Sequence, residues 1–409
     1  MNFIMFLAYQ LQFITMSKIE FAIAIPTFNR LDHLKKALES VRNQIIPSDV
    51  NLTILISNIA SNDGTSEFLS SIDSKNIIIN NKPFKKHTNS IANFYCLSKL
   101  IPSKTDWVWL HGDDDYLCDN LSLSKIIKVI RNNVDLETDL ISACQKSRSL
   151  NSESIHKDTI FNLCNRYGYH EMLGWISGLV LRKEEMKKVM SCVFTNEDFY
   201  VVKENNFNLE KKYSYSAYPH SLEIFMNLSN KKAVFLDSPV IENQPKTPEQ
   251  IVLLNDHNAQ ENVALRYLFM LDDFKKLEKC KIIKKQSLSR SFFRYQIYHI
   301  WDHLLALFVI TLNQNTLTYH QLEEKDQQEY LEQIRAFASL YWERVFTFNN
   351  YLKDMSDRKF ITQLCLAANS YSGLYLLGGL SETAFKLIHS LKLVNCIPTF
   401  GMEIIKLKT

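Results

Sequence analysis

Three consecutive aspartates are the residues of this sequence that point most directly to chemistry. Asp113, Asp114 and Asp115 follow the apolar stretch WVWL, which has the composition of a buried strand. Carboxylates crowded at the end of such a strand repel one another unless a cation neutralises them, and their oxygens are the ligands that Mg²⁺ and Mn²⁺ prefer. The triplet therefore predicts a divalent-metal site that holds phosphates, with a plain solvated loop as the alternative.

Two other polar segments also follow predicted strands. PTFNR (26–30) ends the apolar run that begins at Ile19, and NIASNDGT (58–65) directly follows the predicted strand NLTILIS (51–57). In open α/β sheets, ligands bind beyond the carboxyl ends of the strands. A segment rich in Asn, Asp and Gly is by itself only a turn signal. Taken together, however, the three segments predict one binding site at this edge of a sheet.

An alternation of strands and helices must position these segments. The predicted strands are Ile19–Pro26, NLTILIS, NIIIN, DWVWLHGDDDYL, which ends in the aspartates, and DLISACQ. After the first strand, apolar residues recur at helical spacing from Leu31 to Val41, and Asn29 is predicted to cap that helix. This alternation predicts a mostly parallel α/β sheet flanked by helices.

The pattern changes along the second half of the chain. GWISGLVLRKEEMKKVM predicts a strand that runs into a helix, and KAVFLDSPV predicts a further strand. From NQPKTPEQ (243–250) onward, amphipathic helices rich in aromatic residues replace the strand signals. We therefore expect an α/β domain at 16–245 and an all-α region at 246–409. Residues 1–15 are predicted to be either an extension before a true start at Met16 or a short amphipathic membrane contact.

Composition excludes several classes of protein. The formal net charge of +3 is too small to predict nucleic-acid binding. The eight cysteines form no Cys-x-x-Cys pair, which predicts buried thiols in a reducing compartment rather than a zinc site or a disulfide framework. No apolar run approaches the roughly 20 residues needed to span a bilayer.

The order PTFNR, NIASNDGT and DDD resembles the nucleotide-sugar-binding half of inverting glycosyltransferases of family 2, which have the GT-A fold. The resemblance covers Ile19 to Leu117, and a weaker similarity from WISGLVLRKE to YPHSLEI is to the abequosyltransferase-like branch of bacterial O-antigen and capsule enzymes. It implies a cytoplasmic enzyme, at the inner face of the cytoplasmic membrane, that uses Mn²⁺ or Mg²⁺. The donor would be a nucleotide-diphosphate-sugar. The acceptor would be a surface polysaccharide, a lipopolysaccharide O-antigen or a lipid-linked oligosaccharide.

The resemblance also implies a set of donor-binding residues. Phe28 would stack on the base, because an aromatic ring offers apolar area at a small entropy cost. Asn58 stands where the family usually has an aspartate that reads the base edge, and its amide can both donate and accept, which leaves the base open. Asp63 either shapes its loop or is only a turn residue. The implied donor-binding residues are Pro26, Thr27, Phe28, Asn58, Asp63, Asn93, Asp113, Asp114 and Trp175.

The metal and catalytic residues follow from the same resemblance. Asp113 and Asp115 would form the Asp-x-Asp motif. Asp115 would be a metal ligand, and Asp113 would contact the ribose or the ligands around the metal. Asp114 could replace either aspartate. Inversion needs a general base near the acceptor hydroxyl. The candidates are Glu197 and Asp198, and His220 is a candidate third metal ligand or acceptor contact. The alternative for His220 is a purely structural role. Trp175 could stack on a sugar, and the alternative is that it packs in the core.

Two other functions compete with a glycosyltransferase. A sugar-1-phosphate nucleotidyltransferase needs a glycine-rich basic loop after the first strand, and PTFNR contains no glycine. A non-catalytic sugar-binding or scaffold protein with a decayed site stays open because of Asn58. The C-terminal helices are expected either to contact a membrane through aromatic and basic residues or to form a helical core that packs on the first domain or dimerises.

Overall fold

The computed structural model describes eleven stretches of the chain: 18–59, 61–72, 75–81, 90–133, 135, 137–146, 154–195, 218–244, 273–293, 350–356 and 358–359. The chain divides into two compact units. The first comprises residues 1–160, 175–195 and 230–244, and the second comprises 161–174, 196–229 and 245–409. The predicted leader and most of the predicted all-α region lie outside the described residues, so both stay predictions.

One mixed sheet forms the centre of the first unit. Its nine described strands are β1 (Ile19–Thr27), β2 (Val50–Asn58), β3 (Ile77–Asn80), β4 (Trp107–Leu110), β5 (Asp115–Leu117), β6 (Thr138–Gln145), β7 (Ser154–Thr159), β8 (Leu179–Arg182) and β9 (Lys232–Asn243). The order is β3-β2-β1-β4-β8-β6-β9-β5, and β7 also pairs with β9. The four strands β3, β2, β1 and β4 are parallel, as the strand–helix alternation predicts, whereas β8 is antiparallel to both of its neighbours.

The connections between the strands are largely helical. In chain order the described helices are α1 (Leu31–Arg42), α2 (Thr65–Ser70), α3 (Ser90–Leu100), α4 (Ser122–Asn133), α5 (Ile160–Tyr167), α6 (Tyr169–Leu173), α7 (Lys183–Thr195) and α8 (Pro219–Leu228). Helices α1 to α4 and α7 belong to the first unit. Within the described residues, no helix is both long and apolar enough to cross a membrane.

The core of the first unit explains why β1 and β4 end where they do. Residues Phe21 to Ile25 are completely buried, as expected for a parallel strand covered on both faces. Trp109 of β4 is also fully buried and meets Phe21 edge to face, with ring centroids 6.4 Å apart. Past these apolar residues, β1 and β4 give way to polar side chains at the same edge of the sheet.

Two parts of the sheet differ from the prediction. The segment DWVWLHGDDDYL is not one strand, because β4 ends at Leu110 and β5 begins at Asp115, where it pairs with the antiparallel β9. The four residues between them form a turn that brings the aspartates together. Strand β7 was not predicted, because its sequence SIHKDT carries no alternation of apolar and polar residues.

The described part of the second unit is built around aromatic rings. Tyr169 of α6 contacts Phe225 of α8 edge to face at 5.4 Å and stacks on Phe292 at 5.4 Å. Phe274 and Phe293 extend this group, and all five side chains are buried. The aromatic residues that the sequence places in the C-terminal region therefore include core residues at positions 274, 292 and 293.

Candidate active site

The segments that follow β1, β2 and β4 meet at one edge of the sheet. Thr27 lies beside Asn58 in the pairing of β1 with β2. The Thr27 hydroxyl donates a hydrogen bond of 2.8 Å to Asp113 Oδ2, although the two residues are 86 positions apart. The predicted site residues of all three segments are thus neighbours, as the parallel order β2-β1-β4 requires.

The turn after β1 is fixed by the loop after β2. Asn29 has a left-handed backbone (φ 51°), a conformation that Asn tolerates better than most residues. Its backbone N–H donates to Ser61 Oγ (2.8 Å), and its Oδ1 accepts from the N–H of Asn62 (2.8 Å). Asp63 Oδ2 accepts from the N–H of Leu31, the first residue of α1 (2.9 Å). Four consecutive residues, 28–31, are therefore held in a fixed position.

This arrangement corrects the predicted helix cap. Asn29 does not cap α1; Arg30 occupies the N-cap position and makes no capping bond with its side chain. The free N–H of Leu31 is satisfied instead by Asp63 from a different loop, which also binds the Thr65 hydroxyl and backbone N–H (2.6 and 3.1 Å). Asp63 is thus more than a local turn residue, because it ties the two loops together.

Phe28 is presented to solvent at this edge. Its side chain is 42% exposed, which is unusual for a phenylalanine next to a buried strand. The neighbouring Thr27 is buried, and its carbonyl oxygen accepts a bond of 2.9 Å from Asn93 Nδ2 of α3. Asn93 Oδ1 is buried and has no hydrogen-bond partner among the described residues. The backbone around Phe28 is therefore rigid while its ring remains available.

Asn58 is engaged entirely within the protein. It is fully buried, and its Nδ2 donates to Ser66 Oγ (3.0 Å) and Asn81 Oδ1 (2.6 Å). Its Oδ1 accepts from the hydroxyl and the backbone N–H of Ser61 (2.5 and 3.4 Å). Because both amide hydrogens and both carbonyl lone pairs are used, Asn58 as placed here supports the loop after β2 and has no group left to read a base.

Arginine 30 is a site residue that the sequence reasoning missed. Its Nη1 lies 3.0 Å from Asp113 Oδ1 and 2.9 Å from Asp114 Oδ2, so that one nitrogen bridges two carboxylates. The sequence did contain a signal for Arg30. Three aspartates at a sheet edge need a cation, and Arg30 is the only basic residue of PTFNR, the segment that ends at the same edge.

Asp115 is held by residues that lie far away in the sequence. It is buried; Ser177 donates its hydroxyl hydrogen to Oδ2, and Asn243 Nδ2 donates to Oδ1 (3.0 Å). Ser177 Oγ also accepts from the N–H of Gly112 (2.8 Å), and its carbonyl accepts from the indole N–H of Trp109 (2.7 Å). The predicted donor-binding residue Trp175 lies here too: burial raises the pKa of Asp115, and the side chain of Trp175 opposes that rise only slightly.

Gln244 completes the support of the triplet. Its Nε2 donates to the carbonyl oxygens of His33 (2.9 Å) and Asp113 (3.2 Å), and its backbone N–H donates to the carbonyl of Asp114 (3.0 Å). Its Oε1 lies 2.9 Å from His33 Nδ1. Neither Gln244 nor Asn243 was predicted, because their spacing from the aspartates carries no sequence signal.

The site resists holding three negative charges at once. Burial is the main cause that raises the pKa of Asp115 to about 7. The negative charge of Asp114 also raises this pKa, and its effect is larger than the opposing effect of the hydrogen bond from Ser177. Burial also raises the pKa of Asp113 to about 6, against the lowering effect of Arg30. Burial lowers the pKa of the adjacent His111 to about 4, so that this histidine is neutral at physiological pH and adds no positive charge. A further cation would therefore favour ionisation of both aspartates.

The donor set fits a divalent cation that is shared with phosphates. Within the described residues, no three His, Cys, Asp or Glu side chains are grouped to hold a metal by themselves. Mg²⁺, however, is commonly bound by one or two carboxylates together with substrate phosphates. A Cβ added at Gly112 would lie 2.9 Å from Asp114 Oδ1 and 3.2 Å from Asp115 Oδ2. The absence of a side chain at this glycine leaves room for two carboxylate oxygens, which suits a hard cation.

Of the three predicted catalytic residues, the described part of the chain includes His220. Glu197 and Asp198 lie outside the described residues. His220 belongs to the second unit, where its ring is hydrogen-bonded to the backbone of Gly174 and Leu173. Burial lowers the pKa of His220 to about 4. Its Nε2 is shielded from solvent and has no hydrogen-bond partner among the described residues. Roles for these three residues stay predictions.

Comparisons with solved structures find similar proteins at low sequence identity. Similar solved structures include residues 1–349 of S. aureus TarS in complex with UDP-GlcNAc, with 13% identity, a TM-score of 0.47 and coverage of 86% of this chain and 88% of that chain. They also include the mannosyltransferase PcManGT from Pyrobaculum calidifontis in complex with GDP-Man and Mn²⁺, with 11% identity, a TM-score of 0.43 and coverage of 89% and 88%. These scores are too low to carry an argument about function. No curated protein matches the chain.

The family comparison covers the segment that forms the site. Residues 22–186 match the model described as glycosyl transferase family 2, and this range includes the turn after β1, the loop after β2 and the aspartate triplet. The predicted fold class, a mostly parallel GT-A sheet flanked by helices, is confirmed for the first unit. By this match, residues 22–186 are similar in sequence to glycosyl transferase family 2.

Proposed function

We propose that the protein is an inverting glycosyltransferase that takes a sugar from a nucleotide-diphosphate-sugar and transfers it to an acceptor hydroxyl. The observation that carries this proposal is the aspartate triplet at a sheet edge, with Asp113 and Asp115 buried, beside the exposed aromatic ring of Phe28. Thr27 links the two, because its side chain binds Asp113 and the next residue is Phe28. The match of residues 22–186 to glycosyl transferase family 2 supports the same reaction class.

Each part of the site has a task in this reaction. Phe28 would stack on the base, and Asp113 and Asp115 would hold Mn²⁺ or Mg²⁺, with Asp114 able to replace either of them. When bound, the cation neutralises the diphosphate as the bond to the sugar breaks. Ser177 and Asn243 keep Asp115 oriented, because both donate hydrogen bonds to its carboxylate. The proton of the acceptor hydroxyl would pass to a carboxylate, for which Asp198 and Glu197 remain the candidates.

The finer assignment is also proposed. The acceptor would be a surface polysaccharide, O-antigen or lipid-linked oligosaccharide, as in the abequosyltransferase-like branch, and the transferred sugar would be a hexose or a deoxyhexose. The enzyme would work at the inner face of the cytoplasmic membrane. The C-terminal region would pack on the catalytic domain, form a dimer or contact the membrane.

Thermal stability tests this function without knowledge of the acceptor. UDP, GDP, dTDP and CDP are added to the protein with and without Mn²⁺, because a ligand that binds only the folded state raises its melting temperature. We expect one nucleotide to stabilise the protein strongly, and only when Mn²⁺ is present. If no nucleotide shifts the melting temperature, with or without Mn²⁺, the non-catalytic alternative with a decayed site replaces the proposal.

Phe28→Ala is expected to weaken binding of that nucleotide about tenfold or more, because stacking of a base on an aromatic side chain contributes ~1–3 kcal/mol. Phe28→Tyr keeps an aromatic plane and is expected to retain most of the affinity. Isothermal titration calorimetry of the nucleotide with Mn²⁺ measures both. Ile46→Ala is the matched control, because Ile46 is 45% exposed in the loop between α1 and β2. Equal affinities for Phe28→Ala and the control would remove Phe28 from the binding site.

A further inference from the structure

Arg30 already provides a cation for the aspartates. Its Nη1 contacts both Asp113 and Asp114, at 3.0 and 2.9 Å, from a side chain that is still 48% exposed. Asp114 is half-exposed as well, whereas Asp113 is almost completely buried. The guanidinium thus approaches the triplet from the solvent side, which is also the side from which a ligand must enter.

The backbone next to Arg30 is held by the loop after β2, whereas the Arg30 side chain contacts the carboxylates of Asp113 and Asp114. The residues on both sides are held by the loop after β2, Asn29 through Ser61 and Asn62, and Leu31 through Asp63. The two carboxylates are the hydrogen-bond partners of the guanidinium, and one of them is exposed. A half-exposed ion pair is weak enough to be exchanged for a better partner, and the long side chain of arginine can reorient about a fixed Cα.

We propose that Arg30 competes with the divalent cation for Asp113 and Asp114, so that the metal binds tightly only together with a nucleoside diphosphate. The inference rests on the proposed function. A divalent cation entering alone must displace the guanidinium and leave it without a partner. A cation that enters with a diphosphate brings the partner along, because arginine pairs with phosphate oxygens through two parallel hydrogen bonds. The two ligands would then bind with positive coupling.

Mn²⁺ binding to the full-length protein tests this coupling directly. Free Mn²⁺ is followed by electron paramagnetic resonance, first alone and then with saturating UDP, GDP, dTDP or CDP. We expect Arg30→Gln to bind Mn²⁺ alone about tenfold more tightly than the wild type, since the competing charge is removed. The nucleotide should then increase Mn²⁺ affinity much less in the variant than in the wild type. Arg30→Lys, which keeps the charge but not the planar fork, should retain weak binding of Mn²⁺ alone.

Arg42→Gln is the matched control, because it removes the same charge from the exposed last turn of the same helix. It should bind Mn²⁺ as the wild type does. Unchanged or weaker binding of Mn²⁺ alone by Arg30→Gln, while wild type still binds Mn²⁺ with a nucleotide, overturns the role of Arg30 and leaves the proposed function intact. If wild type binds no Mn²⁺ with any of the four nucleotides, both the proposed function and this inference fail. Melting curves without metal establish that each variant is folded.

Discussion

Replacing Asp115 with asparagine is expected to abolish the stabilisation of the protein by nucleotide plus Mn²⁺ and to slow sugar transfer by about 10²–10³-fold, the usual cost of losing one charged group at a reacting centre. Asparagine has nearly the same shape and can still bond with Ser177 and Asn243, so the variant loses the charge and keeps the geometry. The melting temperature with nucleotide and Mn²⁺ is measured first. The transfer rate follows once the panel has identified the donor base.

A matched substitution separates this effect from a general loss of acidic charge. Asp32→Asn removes one exposed carboxylate from the first turn of α1, outside the triplet, and should keep both the nucleotide-dependent stabilisation and the transfer rate. If Asp115→Asn retained the full Mn²⁺-dependent shift, Asp115 would not be a metal ligand. The assignment of the metal would then pass to Asp113 and Asp114.

The same variant is expected to change how stability depends on pH. Without metal, the pKa of Asp115 is raised by burial from the ordinary value of 3.8 to about 7. The folded protein therefore holds this proton more tightly than the unfolded chain, and ionisation destabilises the fold increasingly as pH rises from about 4 to 7. Asparagine never ionises. Asp115→Asn should thus be more stable than wild type above pH 7, by a few kcal/mol at ~1.4 kcal/mol per pKa unit, and equally stable near pH 4.

The comparison between the two proteins isolates this carboxyl group. His111 and His220 have pKa values lowered to about 4 by burial, so their stability contributions increase with pH over part of the same range. Because both histidines are present in both proteins, their effects cancel in the difference. Urea denaturation of the two metal-free proteins at intervals from pH 4 to pH 8 measures it. A difference that stays constant across this range would show that Asp115 titrates normally in the folded state.

The local parts of the fold were predictable because the pattern of apolar residues determines them. The spacing from Leu31 to Val41 predicts α1, which spans Leu31–Arg42, and the apolar runs predict β1, β2 and β6 to within two residues at either end. Parallel order then brings the three polar segments to one edge. The prediction fails where side-chain charge, rather than apolar burial, determines the backbone, as in the turn that separates β4 from β5.

The partners of the aspartates were not predictable for a different reason. Asn243 reaches Asp115 across 128 positions, and Ser177 reaches it across 62. Contacts at such separations depend on how β8 and β9 enter the sheet, and single-sequence spacing contains no information about that order. The contacts of Asn58 were equally unpredictable, because the sequence suggested that its amide faces a ligand. Its contacts with Ser61, Ser66 and Asn81 could be seen only in the structure.

The dependence of the triplet on Asn243 and Gln244 has a consequence for biosynthesis. During synthesis the parallel strands β1 to β4 leave the ribosome first, with all three aspartates following directly behind them. Two amides that hold the triplet are made about 130 residues later, at the end of β9: Asn243 bonds the carboxylate of Asp115, and Gln244 bonds the backbone carbonyl of Asp113. Domains fold as the chain emerges, and long-range pairings form late. The nascent protein therefore carries an acidic cluster without its amide partners until Gln244 has been translated.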